Sequence, residues 1–251
     1  MSSQSFDDQA VSPTVAASQT DTGQLSDIPE TRSMVEIVAW GLSTPDVQDG
    51  SMTGRYAAPE ANGGIDTHSP YDEASVRSAM RSDDPRMRRV AIHALARRNV
   101  VTERDVRHWM LDPHPTVRLQ LAEMLGRFEI PGALNAALAL LDDGDPLVAE
   151  TAAWTLGEID TNATTVSALT RAAVDHDDPL VRESAVAALG AIGSEDGKGA
   201  VLQACSDKPA VRRRAVLALA AFDGEDIEAA LTKALDDRDW QVRQAAEDLL
   251  G

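Results

Sequence analysis

Apolar residues recur at helical spacing through the last two thirds of the chain. From Val181 to Ile192 they fall at i, i+4, i+7, i+8 and i+11, which is one face of a helix with 3.6 residues per turn. Asp178 and Pro179 stand directly before this segment. Asp at an N-cap accepts backbone N–H bonds, and Pro at the first helical position has no N–H to leave unpaired. The pattern therefore predicts an amphipathic helix that begins at Pro179.

The same phrase, Asp-Pro-x-Val-Arg followed by Ala and then Ala-Leu-Gly, recurs along the chain in variant forms. Measured at the Pro position, successive copies are 30, 31, 33, 30 and 31 residues apart. The six markers are Pro85, Pro115, Pro146, Pro179, Pro209 and Trp240. So even a spacing is typical of a repeat protein, in which each copy is one structural unit.

A shorter apolar segment precedes each copy and predicts a second helix in each unit. These second helices are expected over residues 102–111, 132–141, 163–174, 197–205 and 225–235. Residues 69–80 supply the same element before the first copy, with Ser69 as the expected N-cap. The predicted unit is a helical hairpin, in which we call the shorter helix A and the Asp-Pro helix B.

The Asp-Pro-x-Val-Arg start and the Ala-x-x-Ala-Leu-Gly body resemble the HEAT-like repeat of the phycobilisome lyase family, over residues 70–250. The resemblance implies an all-α fold, a right-handed superhelix of six stacked hairpins with the A helices on the convex side and the B helices on the concave side. It also implies that the recurrent Arg links successive turns. A single hairpin cannot bury its own apolar face, so stacking is obligatory.

Three copies depart from the pattern at positions that matter for this arrangement. Ala149 replaces the recurrent Arg in the third copy, so the link between turns should be missing there. This replacement is either neutral or the origin of a functional kink. His114 and Lys208 replace the capping Asp in the second and fifth copies.

The first 68 residues differ in kind from the repeats. Residues 1–29 are rich in Ser, Thr, Gln and Asp and are expected to form a disordered acidic tail. Residues 30–68 are expected to hold a capping helix followed by a linker with several Gly and Pro residues. The repeat domain is then expected over residues 69–251.

Charge argues against nucleic-acid binding, and the lack of a signal-peptide pattern or membrane span predicts a cytoplasmic protein. The chain carries 41 acidic and 23 basic side chains, a net charge of −18, and only 3 of the basic residues are Lys. Such an acidic, Lys-poor composition is similar to that of proteins from salt-loving microbes, haloarchaea above all, where salt screens the repulsion. The chain has no apolar segment long enough to span a membrane, and its one cysteine, Cys205, is expected to be a packed, inert thiol.

A basic island lies inside this acidic chain. Residues 69–127 carry 11 basic and 8 acidic side chains, whereas residues 128–251 carry 10 and 23. Two interpretations stay open: the island binds an acidic partner or a phosphate group, or it pairs with the acidic N-terminal segment. Its members are Arg77, Arg81, Arg86, Arg88, Arg89, His93, Arg97, Arg98, Arg104, Arg107 and His108.

If the B helices line the groove of the superhelix, the residues opposite their apolar faces form a candidate binding surface. Trp154 is the most prominent of these, either as an exposed partner contact or as a ring that leans between neighbouring helices. Its apolar companion is Leu119. The candidate partner-binding residues are Arg89, His93, Arg97, Leu119, Glu123, Glu150, Trp154, Glu183, Arg213 and Leu217.

The sequence contains no motif that predicts chemistry, so no catalytic residue, cofactor or metal is expected. The five His residues lack the His-Glu pairs of di-iron hydroxylases that resemble this repeat. Glu123, Glu150, Glu158 and Glu183 would repel the DNA that glycosylases of similar architecture bind. We therefore expect a non-catalytic scaffold or adaptor, a monomer by preference, that binds an unknown protein in its groove. The alternatives are an accessory bilin lyase or isomerase and a structural subunit of a larger assembly.

Overall fold

The fold follows from the alternation of short and long apolar segments along the chain. A computed structural model describes residues 72–159 and 162–251. The expected acidic tail, capping helix and linker over residues 1–68 lie outside these described residues, as do Ser69 and residues 160 and 161.

Twelve α-helices in the described residues form six hairpins, and no described residue lies in a strand. The A helices are α1 (Glu73–Ala79), α3 (Glu103–Met110), α5 (Ala133–Leu140), α7 (Ala163–Asp175), α9 (Glu195–Ala204) and α11 (Glu225–Ala234). The B helices are α2 (Pro85–Arg97), α4 (Pro115–Arg127), α6 (Pro146–Ile159), α8 (Pro179–Ile192), α10 (Pro209–Ala218) and α12 (Trp240–Leu250). A 3₁₀ turn over Leu219–Ala221 follows α10. The all-α solenoid predicted from the repeat is confirmed.

The B helices begin where the sequence places them. The carboxylates of Asp84, Asp178 and Asp239 each accept the backbone N–H two residues further on, which is the predicted N-cap bond. His114 takes over this role with its Nδ1 atom, 3.4 Å from the backbone N of Thr116. Lys208 makes no side-chain cap bond, so α10 begins without one.

The expected start of the first A helix is wrong. The helix begins at Glu73, and its N-cap is Asp72 rather than Ser69. Asp72 accepts the backbone N–H of Ser75 at 2.6 Å and precedes an acidic first turn, both of which stabilise a helix N-terminus. The pattern of apolar residues marked the helix, but a second capping residue three positions downstream set its start.

The recurrent Arg of the B helices joins consecutive repeats, as the resemblance implies. In four copies its Nε and Nη2 atoms form a paired bond with an Asp in the last turn before the next B helix, at 2.6–2.9 Å. Its Nη1 atom donates to a backbone carbonyl of the turn before its own helix. We call each such pair an Arg–Asp clamp. The clamps are Arg88–Asp112, Arg118–Asp143, Arg182–Asp207 and Arg212–Asp237.

No Arg–Asp clamp joins the third and fourth repeats, because both clamp residues are replaced. Ala149 occupies the Arg position and is fully buried. His176 occupies the position, three residues before Pro179, that Asp112 and Asp143 hold in other repeats, and its Nδ1 atom takes over the turn bond from Asp178 N at 3.1 Å. The missing link at Ala149 is thus confirmed, and neither partner is left as an unpaired charge.

Neighbouring B helices pack more closely than neighbouring A helices. Each B helix packs against the next, whereas the closest A-helix neighbours are α3 with α5 and α7 with α9. Small residues permit this approach: a β-carbon added to Gly190 would lie 2.6 Å from Cβ of Ala218. The resemblance predicts the B helices on the concave side, and the closer packing of the B layer is compatible with that prediction.

Candidate functional site

One face of each B helix points away from the core, and we call the set of these faces the B face. It comprises the second, fifth and ninth residues of each B helix and the thirteenth residue of the four longer ones, which share one side because they are three or four positions apart. The apolar third, seventh and tenth or eleventh residues face the core instead, as Val181, Ala185 and Leu189 do in α8. Every predicted partner-binding residue therefore lies on the B face.

Trp154 is the largest apolar side chain of the B face, and it is 48% exposed. Its ring leans toward α4, since a β-carbon on Gly126 would lie only 3.6 Å from its Cζ3 atom. The next residue, Thr155, is fully buried and donates from Oγ1 to the carbonyl of Ala122 at 3.0 Å. One edge of the ring thus rests on a neighbouring helix, and the rest is open to a partner.

Three further large apolar residues of the B face are exposed on α6, α8 and α10. Leu217 is 42% exposed, as predicted for this position, whereas Leu119 is half-buried and packs against the core. Leu147 and Leu180, at the second positions of α6 and α8, are 54% and 39% exposed. Sequence reasoning missed Leu147 and Leu180 because it did not consider the second position of each B helix; extending the helical period one turn toward the N-terminus would have found both.

The middle of the B face is acidic. Glu150 and Glu183 occupy the fifth positions of α6 and α8, and the hydroxyl of Ser184 donates to the carbonyl of Glu150 at 3.0 Å, so the two helices touch here. Burial raises the pKa of the Glu150 carboxyl above its usual value, and the negative charge of Glu183 raises it further. Arg214 approaches Glu183 at 3.7 Å. This arrangement favours a positively charged group from outside.

The first repeat gives the B face a basic end. Arg89 donates from Nη2 to Oε1 of Gln120 at 3.4 Å, and Gln120 in turn donates to Glu123 at 3.0 Å. His93 meets the ring of Phe128 edge to face, with centroids 6.5 Å apart. Burial lowers the pKa of His93, and the positive charges of Arg97 and Arg127 lower it further, so its ring is mainly neutral at pH 7.

Some residues of the basic island form ion pairs and hydrogen bonds that stabilise the fold. Arg88 belongs to an Arg–Asp clamp, and Arg77 donates to both Glu73 and Asp105 and to the carbonyl of Val100. These two cations hold the first repeat to the second. Arg81, Arg104 and His108 border an open cleft of about 490 Å³ between α1 and α3 on the A side. The island is thus spread over both sides of the solenoid.

Two further features bear on chemistry. Cys205 is half-buried, and its Sγ atom lies 3.6 Å from the carbonyl oxygen of Val201. Burial raises the pKa of its thiol to about 11, so the reactive thiolate is scarce near neutral pH. Within the described ranges no group of three or more His, Cys, Asp or Glu could hold a metal ion.

Six stacked hairpins with one exposed, chemically mixed face define an α-solenoid repeat protein. The sequence profile of the HEAT repeats matches residues 104–190, 138–209 and 199–251, which together cover more than half of the chain. The chain belongs to the HEAT-repeat family.

Several solved structures are similar to this chain. An engineered protein solved by a structural genomics consortium has a TM-score of 0.52 at 19% identity, over 72% of this chain and 97% of that chain. A designed armadillo repeat protein in complex with the peptide (KR)4 has a TM-score of 0.50 at 18% identity, over 72% and 98%. The complex of CpcE and CpcF of phycocyanin lyase from Nostoc sp. PCC7120 has a TM-score of 0.48 at 22% identity, over 78% and 80%. The first two likenesses show the fold alone.

No curated protein gives a significant match to this chain. Among the described helices none has the length and apolar character that crossing a membrane requires.

Proposed function

We propose that this protein is a non-catalytic scaffold or adaptor that holds a protein partner on its B face. The observation that carries the proposal is the exposure of Leu147, Trp154, Leu180 and Leu217 on one face of three consecutive B helices. Exposed apolar patches rimmed by polar groups are typical of protein interaction sites. Trp is also enriched among the residues that dominate binding energy.

The stacked repeats suit this role because they hold the binding residues in place. Clamps hold the third repeat to the second and the fourth to the fifth, and close packing of α6 against α8 joins the third repeat to the fourth, where the clamp is missing. A rigid surface loses little conformational entropy when it binds. Binding in the groove is also compatible with the designed armadillo protein of similar fold, which was solved with a bound peptide.

The proposal is tested by affinity capture from native cell extract at high salt, followed by mass spectrometry. Trp154→Ala should reduce recovery of the specific partner because it removes the largest exposed apolar surface of the B face. Trp240→Ala is the matched control, since Trp240 is 65% exposed at the start of α12, in the sixth repeat and outside the apolar patch of α6, α8 and α10. Equal recovery by wild type and both variants, with unchanged circular dichroism, would exclude this face.

A second pair of substitutions tests the basic end of the B face. Arg89→Glu with Arg97→Glu should weaken a partner that presents an acidic segment to the first repeat, because two positive charges are replaced by negative ones. Full recovery with this double variant would restrict the contact to the middle repeats.

A location in the cytoplasm and an origin in a salt-loving microbe are parts of the same proposal.

Action on a bilin or another prosthetic group is the alternative that the sequence resemblance implies. Titration with a tetrapyrrole tests it directly, because bound pigment changes its absorption spectrum. We favour the scaffold because the exposed residues of the B face fit a polypeptide, and because the raised pKa of Cys205 disfavours thiolate attachment of a pigment.

A further inference from the structure

The charges along the B face are positive in some repeats and negative in others. The first repeat presents Arg89 and Arg97, the third and fourth present Glu150, Glu158 and Glu183, and the fifth presents Arg213. The exposed apolar residues coincide with the acidic stretch: Leu147 and Trp154 lie on α6 and Leu180 on α8. The middle of the B face is therefore apolar and negatively charged at the same place.

Glu150 is a half-buried carboxylate in this stretch whose charge no cation of the described residues offsets. Its carboxylate accepts a hydrogen bond from the hydroxyl of Thr151 at 3.3 Å. In the described part of the chain no Lys or Arg forms an ion pair with it. The nearby Glu183 adds a second negative charge, only partly offset by Arg214 at 3.7 Å. A partially buried negative charge without a cation is unfavourable, and a cation from a partner would relieve it.

Trp154 stands one helical turn after Glu150 on the same side of α6. A cationic group above an indole ring is attracted by its π electrons when it lies within about 6 Å of the ring centre. The same ring offers a flat apolar surface to the aliphatic part of an Arg or Lys side chain. Carboxylates and an exposed indole together thus fit a long, positively charged side chain.

We infer that the middle of the B face, from Leu147 to Leu217, binds a basic and apolar segment of a partner polypeptide, with an Arg or Lys side chain placed against Trp154 between Glu150 and Glu183. This inference rests on the proposed function and adds the chemistry of the partner. It concerns repeats three to five and leaves the acidic segment expected at Arg89 as a separate contact.

Charge complementarity decides between the possible occupants. The N-terminal residues 1–68 carry 10 acidic and 2 basic side chains, so the carboxylates of the B face would repel them. A second copy of the chain, with a net charge of −18, would be repelled as well, and so would a nucleic acid. A basic segment of another protein is the occupant that these charges attract.

The extent of the middle of the B face determines how long a peptide is needed to test the inference. Packed helices are about 8–10 Å apart, so the B face from α6 to α10 extends over about 20 Å. An extended peptide rises about 3.3 Å per residue and covers this distance with about six residues. A synthetic peptide of about ten residues, with alternating Arg and Leu, is therefore a suitable probe. Two matched peptides carry Glu or Gln in place of Arg.

The test measures binding of the three peptides to the full chain by isothermal titration calorimetry at low and high salt. The Arg peptide should bind more tightly than the Gln peptide, and the Glu peptide should bind least. Glu150→Gln with Glu183→Gln should weaken the Arg peptide about tenfold, because two opposing charges are removed. Glu129→Gln with Glu228→Gln makes the same change in net charge at exposed positions outside the B face and should leave the affinity unchanged.

Several results would overturn the inference. They are binding of the Glu peptide as tight as that of the Arg peptide, equal loss in both double variants, or no binding of any peptide. Circular dichroism and the melting temperature check that each variant is folded. If Trp154→Ala abolishes capture of the natural partner while Glu150→Gln with Glu183→Gln leaves its affinity unchanged, the proposed function stands and only the basic character of the partner is wrong.

Discussion

At the scale of single residues, the Arg–Asp clamp is the most specific interaction of the fold. Each guanidinium is bound by a carboxylate of the next repeat and by a carbonyl of its own, so one side chain connects three segments. The side chains of Arg118 and Asp143 are only 17% and 8% exposed. Charge-assisted, paired bonds in such partly dry surroundings are stronger than surface ion pairs, and loss of one partner leaves an unpaired buried charge.

The neighbours Asp142 and Asp143 provide a matched comparison. Asp143→Asn should lower the free energy of unfolding by about 3 kcal/mol, because Arg118 stays buried without its counter-charge. Asp142→Asn should cost less than about 1 kcal/mol, because Asp142 and its partner Arg171 are 57% and 53% exposed. Urea denaturation at pH 7 measures both values, and equal losses would contradict the account.

The clamps also predict the response to acid. Burial alone would raise the pKa of Asp112 and Asp143, but the bonds from Arg88 and Arg118 hold both pKa values below the usual 3.8, and Arg182 and Arg212 lower the pKa of Asp207 and Asp237. A lowered pKa in the folded state adds stability that is complete above the unfolded pKa and is lost as the pH falls through the folded pKa. Stability should therefore decrease as the pH falls below about 4. Denaturation midpoints from pH 7 to pH 2 test this, and Asp143→Asn should reduce the change.

At the scale of helices, glycine decides how closely the B helices approach. A β-carbon on Gly157 would lie 2.9 Å from Cβ of Ala188, and one on Gly190 would lie 2.6 Å from Cβ of Ala218. Gly199 lies within α9 and would meet no atom within 4 Å. Packing thus requires glycine at position 190, whereas no contact requires glycine at position 199.

Gly190→Ala and Gly199→Ala should therefore change stability in opposite directions. Ala is favoured over Gly in a helix by about 1 kcal/mol, so Gly199→Ala should stabilise the protein by up to that amount. In Gly190→Ala the added methyl group forces α8 and α10 apart, and we expect a net loss of about 1–3 kcal/mol. Thermal unfolding of the two variants measures the difference, and a gain in stability for Gly190→Ala would show that the helices are less closely packed.

Much of this helical architecture follows from the sequence, because local signals repeat. The Asp-Pro pairs fix the starts of the B helices, and the spacing of Ala and Leu fixes their buried face. The predicted start of α1 was wrong because Asp72, rather than Ser69, caps the helix. Sequence reasoning missed that His176 replaces the clamp Asp, because the matching replacement of the clamp Arg, Ala149, lies 27 residues earlier. Leu147 and Leu180 were missed because the candidate surface was not extended to the second position of each B helix, although the helical period places that position on the same face.

At the scale of the whole molecule, six hairpins form one continuous hydrophobic core that no repeat could form alone. The repeats are rich in acidic side chains, and residues 128–251 carry a net charge of −13. Repulsion among like charges opposes the compact state, and dissolved salt reduces this repulsion. The stability of the solenoid should therefore depend on ionic strength.

We expect helicity and melting temperature to decrease when the protein is dialysed from concentrated salt into dilute buffer. Repulsion among the −18 net charges is then unscreened, because the Debye length grows from about 3 Å at 1 M salt to about 30 Å at 0.01 M. Far-UV circular dichroism over a salt series measures the change. A melting temperature that is independent of salt would contradict the inference that the protein is adapted to high salt.

The most direct test of the central claim, that the concave B face holds a protein partner, is site-specific photo-crosslinking in cell extract. A photoreactive residue replaces Ala191, exposed at the thirteenth position of α8, or Ala229, exposed on the A helix α11. We predict that position 191 crosslinks one defined partner and that position 229 does not. Crosslinking of the same partner with equal yield from position 229, or from neither position, would contradict the account.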